Sequence, residues 1–172
     1  MAKKVQIFNN FLDQEVFLEI KKFIMSPRCQ WRYVNYIAHK DGRDNDNDGY
    51  FVHSFKDCHP QTFEDRYPES PHFPLIAKIL DKIQYQNILR IRSSLYPRRD
   101  VQKPDPFHVD YNFPHRVCIF YVNTNNGYTM FESGEKIPSV ENQLATFDGS
   151  EKHCSVVQTD TSARYIVNIN IL

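Results

Sequence analysis

Two hydrophobic periodicities divide this chain. In the first half, Val16, Phe17, Ile20, Phe23 and Ile24 recur at i, i+3 and i+4, the spacing of one buried face of an amphipathic helix. This predicts a helix over about Asp13–Met25, with Asp13 as N-cap and Pro27 as the stop. Leu75, Ile76, Ile79, Leu80 and Ile83 form a second stripe. It predicts a helix over about Pro74–Gln84, with Pro74 at a first helical position, where its missing N–H costs nothing.

From Asn87 onward the period shortens to that of extended chain. Ile88–Tyr96, ended by Pro97, and Arg116–Asn123 read as strands rich in β-branched and aromatic residues. Asn126-Gly127 follows, a dipeptide suited to a tight hairpin turn, which makes Tyr128–Glu132 the returning strand. Ser133-Gly134 and Asp148-Gly149 mark further turns. Leu144–Phe147, His153–Gln158 and Arg164–Leu172 complete the set. Short strands with frequent turns imply a barrel or a double-sheet jelly roll. The expected fold class is α+β: a jelly-roll core over 87–172, with the helices of a part spanning 1–86 packed outside it. In the last strand Tyr165, Val167, Ile169 and Ile171 share the more apolar face. Arg164, Ile166, Asn168 and Asn170 share the other. Arg164 therefore points either to solvent or into a polar cavity inside the core.

Composition narrows the class. The 172 residues suffice for a single domain with a substantial core. Twenty-one basic and 21 acidic side chains give a formal net charge of zero, which argues against general nucleic-acid or anionic-membrane binding. No stretch approaches the ~18 apolar residues of a membrane span, and Met1–Gln6 has no secretory h-region. A soluble cytoplasmic protein is expected. The four cysteines show no C-x-x-C spacing and are expected to be reduced thiols: Cys118 a small core residue, Cys154 directed away from the face of His153. Thirteen Phe and ten Tyr suit a β-rich core with an aromatic-lined pocket.

The chemistry is concentrated in His108-Val109-Asp110, His153 and Arg164. Residues i and i+2 of an extended segment project from one face, so His108 and Asp110 can hold one metal ion. His153, from a distant strand, completes a set of two imidazoles and one carboxylate. That donor set leaves open metal positions and suits non-haem Fe(II). A bidentate 2-oxo acid and dioxygen would fill those positions. Arg164 offers the planar, two-pronged donor that a remote carboxylate needs, and Tyr96 and Tyr121 can add hydroxyl donors or serve simply as core aromatics.

These pieces together resemble the 2-oxoglutarate- and Fe(II)-dependent oxygenases, in particular the prolyl-hydroxylase-like branch with its bacterial and bacteriophage members. The resemblance runs through Leu95-Tyr96-Pro97, the H-V-D, Ile119–Asn123, Asn126–Thr129, Phe147-Asp148-Gly149, His153 and the strand opened by Arg164. It implies a double-stranded β-helix, iron held by His108, Asp110 and His153, and 2-oxoglutarate anchored by Arg164 with Tyr96 and Tyr121 beside it. It further implies a dioxygenase that hydroxylates a peptidyl proline or another protein side chain, with ascorbate as a reductant. For a bacteriophage member the compartment would be the host cytoplasm. Two departures bear on the substrate: relatives often carry two glycines at the turn written here Asn126-Gly127-Tyr128-Thr129, and the loop Arg98–Phe107 is longer than in some members. A free amino acid, a nucleotide or another small metabolite stays open as substrate. So do two other readings of the triad: a jelly-roll binding module with a structural metal, and a zinc hydrolase.

Other groups read more simply. Asp44–Gly49 begins like a calcium loop, but the position of its bidentate acid is Phe55; a solvated loop, or a lid over the site, is the simpler reading. His53, Cys58 and His59 match no structural zinc spacing. His115 reads as a loop histidine. Arg98, Arg99 and Lys103 read as a solvated basic cluster, with contact to an acidic or phosphate-bearing substrate as the alternative. Arg90 and Arg92 share strand parity with Tyr96, which puts the inward direction of that tyrosine in question unless a bulge intervenes.

Overall fold

The computed structural model describes residues 5–35 and 49–172. Among the described residues ten antiparallel strands form two sheets. The larger has the order β1-β8-β5-β10-β4-β3-β2 and the smaller β7-β6-β9. The strands are β1 (Gln6–Phe8), β2 (Arg32–Val34), β3 (Tyr50–Asp57), β4 (Ile88–Pro97), β5 (Arg116–Tyr121), β6 (Asn125–Phe131), β7 (Lys136–Ser139), β8 (Gln143–Asp148), β9 (His153–Val156) and β10 (Ala163–Ile171). The two sheets face each other as a double-stranded β-helix. The first half of the chain is not only helical: it supplies β1, β2 and β3 to the edges of the larger sheet.

The outer face of the larger sheet is covered by helix α1 (Gln14–Ile24). Its stripe Phe17, Ile20, Phe23 and Ile24 is buried against Phe120, Val167, Ile169 and Ile171. Each such side chain, fully buried, contributes about 1.5–3 kcal/mol. Asp13 precedes the helix in extended conformation, but its carboxylate makes no capping bond. Its carbonyl accepts the Phe17 N–H at 2.9 Å, and its carboxylate faces Lys82 Nζ at 3.4 Å. The second expected helix is broken. Helix α2 spans only Phe73–Ala77, and a 3-10 turn follows at Leu80–Lys82. Three residues per turn align Leu80 with Ile83, so the tightened turn directs both at the core already occupied by Ile76 and Ile79.

The Asn126-Gly127 hairpin does not form. Both residues lie inside β6, and β6 pairs with β7 and β9, never with β5. A type I′ turn needs positive φ at both central positions, yet Gly134 (φ 89°) is the only described glycine with positive φ. It sits in the Ser133-Gly134 turn between β6 and β7, as expected. At Asn125 the side-chain oxygen accepts the Gly127 N–H at 3.0 Å, and the β6–β7 register slips between Asn125 and Tyr128. The dipeptide thus makes a bulge. The chain leaves β5 at Tyr121 to cross from the larger sheet to the smaller one.

Candidate active site

The space between the sheets is reached by one face of β4 and one face of β10. These strands pair antiparallel, with Tyr96 opposite Arg164, Ser94 opposite Ile166, Arg92 opposite Asn168 and Arg90 opposite Asn170. No bulge interrupts β4 between Arg90 and Tyr96, so all of these residues face inward. The arginines do not turn Tyr96 outward; they share the cavity with it. Arg92, Ser94, Tyr96, His108, Thr129, His153, Ser155 and Asn168 line that cavity.

The end that carries the candidate metal ligands is set by strand pairing. His108 and His153 form an isolated antiparallel bridge, exchanging N–H···O bonds of 3.0 Å in both directions. Their rings lie 4.8 Å apart. His108 Nδ1 faces the Pro106 carbonyl at 3.2 Å, and His153 Nδ1 faces the Glu151 carbonyl at 3.0 Å. A carbonyl only accepts, so each Nδ1 carries a proton, which leaves each Nε2 as the nitrogen available to a metal. Burial foremost, then the neighbouring His153, pulls the His108 imidazole down to about 4, which keeps it neutral near pH 7.

Asp110 supplies the carboxylate. Its Oδ1 accepts from Arg90 at 2.9 Å, and its Oδ2 accepts from Asn168 Nδ2 at 3.2 Å. Asn170 Nδ2 donates in turn to Asn168 Oδ1 at 2.5 Å. Burial alone would raise this carboxyl, but Arg90 above all, with His153 and Arg92, holds it well below the usual carboxylate range. Ligating atoms of His108, Asp110 and His153 all lie within 4.8 Å of one another. Two imidazoles oriented by backbone carbonyls and one ionised carboxylate fit a divalent metal with open positions. Among the described residues no other group of three ligating side chains comes together.

Arg164 takes the interior option left open by its strand. It is fully buried, and its partners are hydroxyls: Nε donates to Ser139 Oγ at 2.7 Å, Nη1 to Ser155 Oγ at 2.9 Å and Nη2 to Thr129 Oγ1 at 3.2 Å. Among the described residues no carboxylate neutralises it. Tyr96 and Tyr121 flank the guanidinium, with ring centroids 5.5 and 5.7 Å away. Tyr121 Oη also shares a 2.9 Å hydrogen bond with Thr129 Oγ1. Burial raises both phenols, so they stay neutral. A buried cation with only neutral partners is unfavourable until an anion arrives. Gly127 makes room for it: a Cβ there would stand 3.0 Å from Arg164 Cδ, 3.0 Å from the Gln158 backbone nitrogen and 2.8 Å from Asn125 Oδ1.

The structure thus brings His108, Asp110, His153, Arg164, Tyr96 and Tyr121 to one cavity and adds others. Arg90 and Asn168 orient Asp110, and Thr129, Ser139 and Ser155 hold Arg164. Their signal was polar side chains at inward parity on strands whose neighbours are apolar. The remaining candidates fall away from the site. His115 Nδ1 bonds the Phe113 carbonyl at 2.8 Å, and its ring lies where a Gly149 Cβ would be. His53 bridges the Gln30 carbonyl and Ser70 Oγ, while Cys58 lies against Asp65. All four cysteines are buried free thiols. Of the basic cluster, Arg99 is tied to Asp105 at 2.7 Å, bracing the loop that leads to His108. The calcium-like segment before Gly49 lies outside the described residues.

No family model and no curated protein matches the sequence. Solved structures do match in fold. An oxidoreductase of the 2OG-Fe(II) oxygenase family from Burkholderia pseudomallei has a TM-score of 0.66 at 11% identity, covering 97% of this chain and 85% of that one. A prolyl hydroxylase from Trichoplax adhaerens, in complex with a hypoxia inducible factor oxygen degradation domain peptide, gives 0.64 at 12% identity, covering 99% and 84%. The viral collagen prolyl hydroxylase of Paramecium bursaria Chlorella virus-1, in complex with 2OG, gives 0.58 at 11% identity, covering 99% and 96%. At such identities the likeness is one of fold: the chain has the double-stranded β-helix architecture found in 2-oxoglutarate- and Fe(II)-dependent oxygenases, prolyl hydroxylases among them.

Proposed function

We infer that this protein is an Fe(II)- and 2-oxoglutarate-dependent dioxygenase that hydroxylates its substrate, with the described residues acting as one catalytic domain. The observation that carries the reading is the pairing of two features in one cavity. At one end are two imidazoles and a carboxylate with their lone pairs directed together. At the other is a buried arginine whose partners are all neutral. A metal alone would need the first feature and not the second. A dicarboxylate with a 2-oxo group needs both.

In this reading His108, Asp110 and His153 hold Fe(II), and Arg164 pairs with the remote carboxylate of 2-oxoglutarate. Tyr96 and Tyr121 wall the co-substrate and supply neutral hydroxyls. Bound Fe(II) would supply the activation of dioxygen that converts 2-oxoglutarate to succinate and carbon dioxide, one oxygen atom passing to the succinate and the other to a substrate C–H bond. The chain's own part is orientation and exclusion of water: Arg90 and Asn168 fix the Asp110 carboxylate, the β-bridge fixes the imidazoles, and the sheets enclose the reacting groups. A protein side chain such as a peptidyl proline is the substrate suggested by likeness to prolyl hydroxylases. Ascorbate would serve as the external reductant.

The test is coupled turnover. Purified protein with Fe(II), ascorbate and dioxygen should release succinate from 2-oxoglutarate, slowly even without prime substrate. Protein that neither binds Fe(II) with 2-oxoglutarate nor forms succinate contradicts the reading. Zinc-dependent hydrolysis indifferent to 2-oxoglutarate would favour a hydrolase.

A further inference from the structure

Arg92 is a third arginine facing the cavity, and beyond a share in holding the Asp110 carboxyl ionised the chemistry above gives it no role. Arg90 is matched by Asp110. Arg164 is held by three hydroxyls at the far end. Arg92 lines the cavity beside His108 and Asn168, and its Nε is sealed from solvent with no hydrogen-bond partner. Among the described residues it forms no ion pair. Its strand position fixes where it acts. It stands opposite Asn168, whose amide holds Asp110, so it belongs to the metal end. Tyr96, opposite Arg164, lies two inward steps away, roughly 13 Å along the strand.

Charge accounting points to what it awaits. With Fe(II) and 2-oxoglutarate in place, the co-substrate's two negative charges meet the metal and Arg164. Asp110 meets Arg90. Positive charge is then in excess, and Arg92 has no ion-pair partner of its own at the end where the primary substrate must come. A guanidinium in such a setting selects a carboxylate by paired, charge-assisted hydrogen bonds. On the neighbouring strand β3, Ser54 stands opposite Arg92 and is exposed, so this edge of the cavity opens to solvent.

Resting on the dioxygenase reading, we propose that Arg92 is a specificity-determining residue that binds a carboxylate of the primary substrate, so that the substrate is an acid: a free amino acid or an acidic side chain. A neutral peptidyl proline would leave Arg92 unmatched. The acid group would hold the substrate beside the metal and set which C–H bond is presented.

The experiment uses the protein loaded with Fe(II) and 2-oxoglutarate. The probes are the free L-amino acids, their carboxamides, and capped peptides containing Asp or Glu. Anaerobic optical titration reads binding, and succinate release above the substrate-free rate reads productive binding. The expected result is that at least one acid binds and stimulates release, its carboxamide is roughly thirtyfold or more weaker, and Arg92→Gln abolishes that preference. Arg92→Lys should restore part of it. Stimulation by free amino acids alone identifies a small-molecule substrate; stimulation by Asp or Glu peptides alone identifies a protein side chain. Retained affinity for 2-oxoglutarate shows that each variant is folded. Indifference to every carboxylate, an acid preference that persists in Arg92→Gln, or a fall in 2-oxoglutarate affinity for Arg92→Gln matching that of Arg164→Ala would overturn the proposal. Failure of the wild-type protein to bind 2-oxoglutarate would instead strike the dioxygenase reading.

Discussion

His108 and His153 are joined through their backbones by two hydrogen bonds of 3.0 Å, one in each direction. The bridge determines where both imidazoles sit before any metal arrives. Its side-chain counterpart is Asn168, which donates to Asp110 Oδ2 at 3.2 Å and sets the third donor.

Asn168→Ala should therefore weaken metal binding while every ligand stays in place. Loss of a hydrogen bond that orients a ligand typically lowers metal affinity about 10- to 100-fold. Asp110→Ala should lower it further, since a ligand itself is gone. Calorimetric titration with Fe(II) under anaerobic conditions measures both. Unchanged affinity in Asn168→Ala would remove that residue from the metal site.

Arg164→Ala deletes the buried cation but no metal ligand. Affinity for 2-oxoglutarate should fall by roughly two orders of magnitude, the scale of breaking a buried charge pair. Fe(II) affinity should stay near wild type. Equal 2-oxoglutarate affinity in the two proteins would show that another group anchors the co-substrate.

Gly127→Ala tests the bulge. The new methyl meets Arg164 Cδ and the Gln158 backbone at 3.0 Å, and backbone cannot yield as a side-chain tip can. Overpacking of this kind costs about 1–3 kcal/mol of stability. Displacement of Arg164 should weaken 2-oxoglutarate binding about tenfold with Fe(II) binding intact. Urea denaturation and calorimetry read the two effects separately.

Acid should destabilise the metal-free protein through His108. Its folded value of about 4 lies below the ordinary 6.5. Between these values the unfolded chain binds a proton that the folded chain refuses, so this contribution is complete above about pH 6.5 and is lost as pH falls towards 4. From pH 7 to pH 5 the loss is on the order of 2 kcal/mol. Urea midpoints at the two pH values should show this drop in wild type and a smaller one in His108→Gln.

Apart from the four-residue β7, which the sequence reading missed, the strands of the second half were legible because their apolar parity is unbroken, as in β10, where Val167, Ile169 and Ile171 pack under the helix. Strand β3 was not, because its register shifts between Ser54 and Lys56. That shift sends Tyr50 and Val52 to one core and Phe55 to the other, so no single period spans it. Asn126-Gly127 misled for a different reason: a bulge and a tight turn draw on the same residues, and only pairing partners tell them apart. The candidate metal ligands and Arg164 stood out by residue type and order. The inward arginines did not, because charge at alternate strand positions ordinarily marks a solvent face. The Asp110 carboxylate inside the cavity is what makes an inward Arg90 favourable.

The most direct test is anaerobic absorption spectroscopy of the Fe(II)-loaded protein on addition of 2-oxoglutarate. A metal-to-ligand charge-transfer band should appear. It should be absent in Asp110→Ala, and in Arg164→Ala it should require far more 2-oxoglutarate. A wild-type protein that binds Fe(II) yet gives no band at saturating 2-oxoglutarate would contradict the assignment of this cavity as a 2-oxoglutarate oxygenase site.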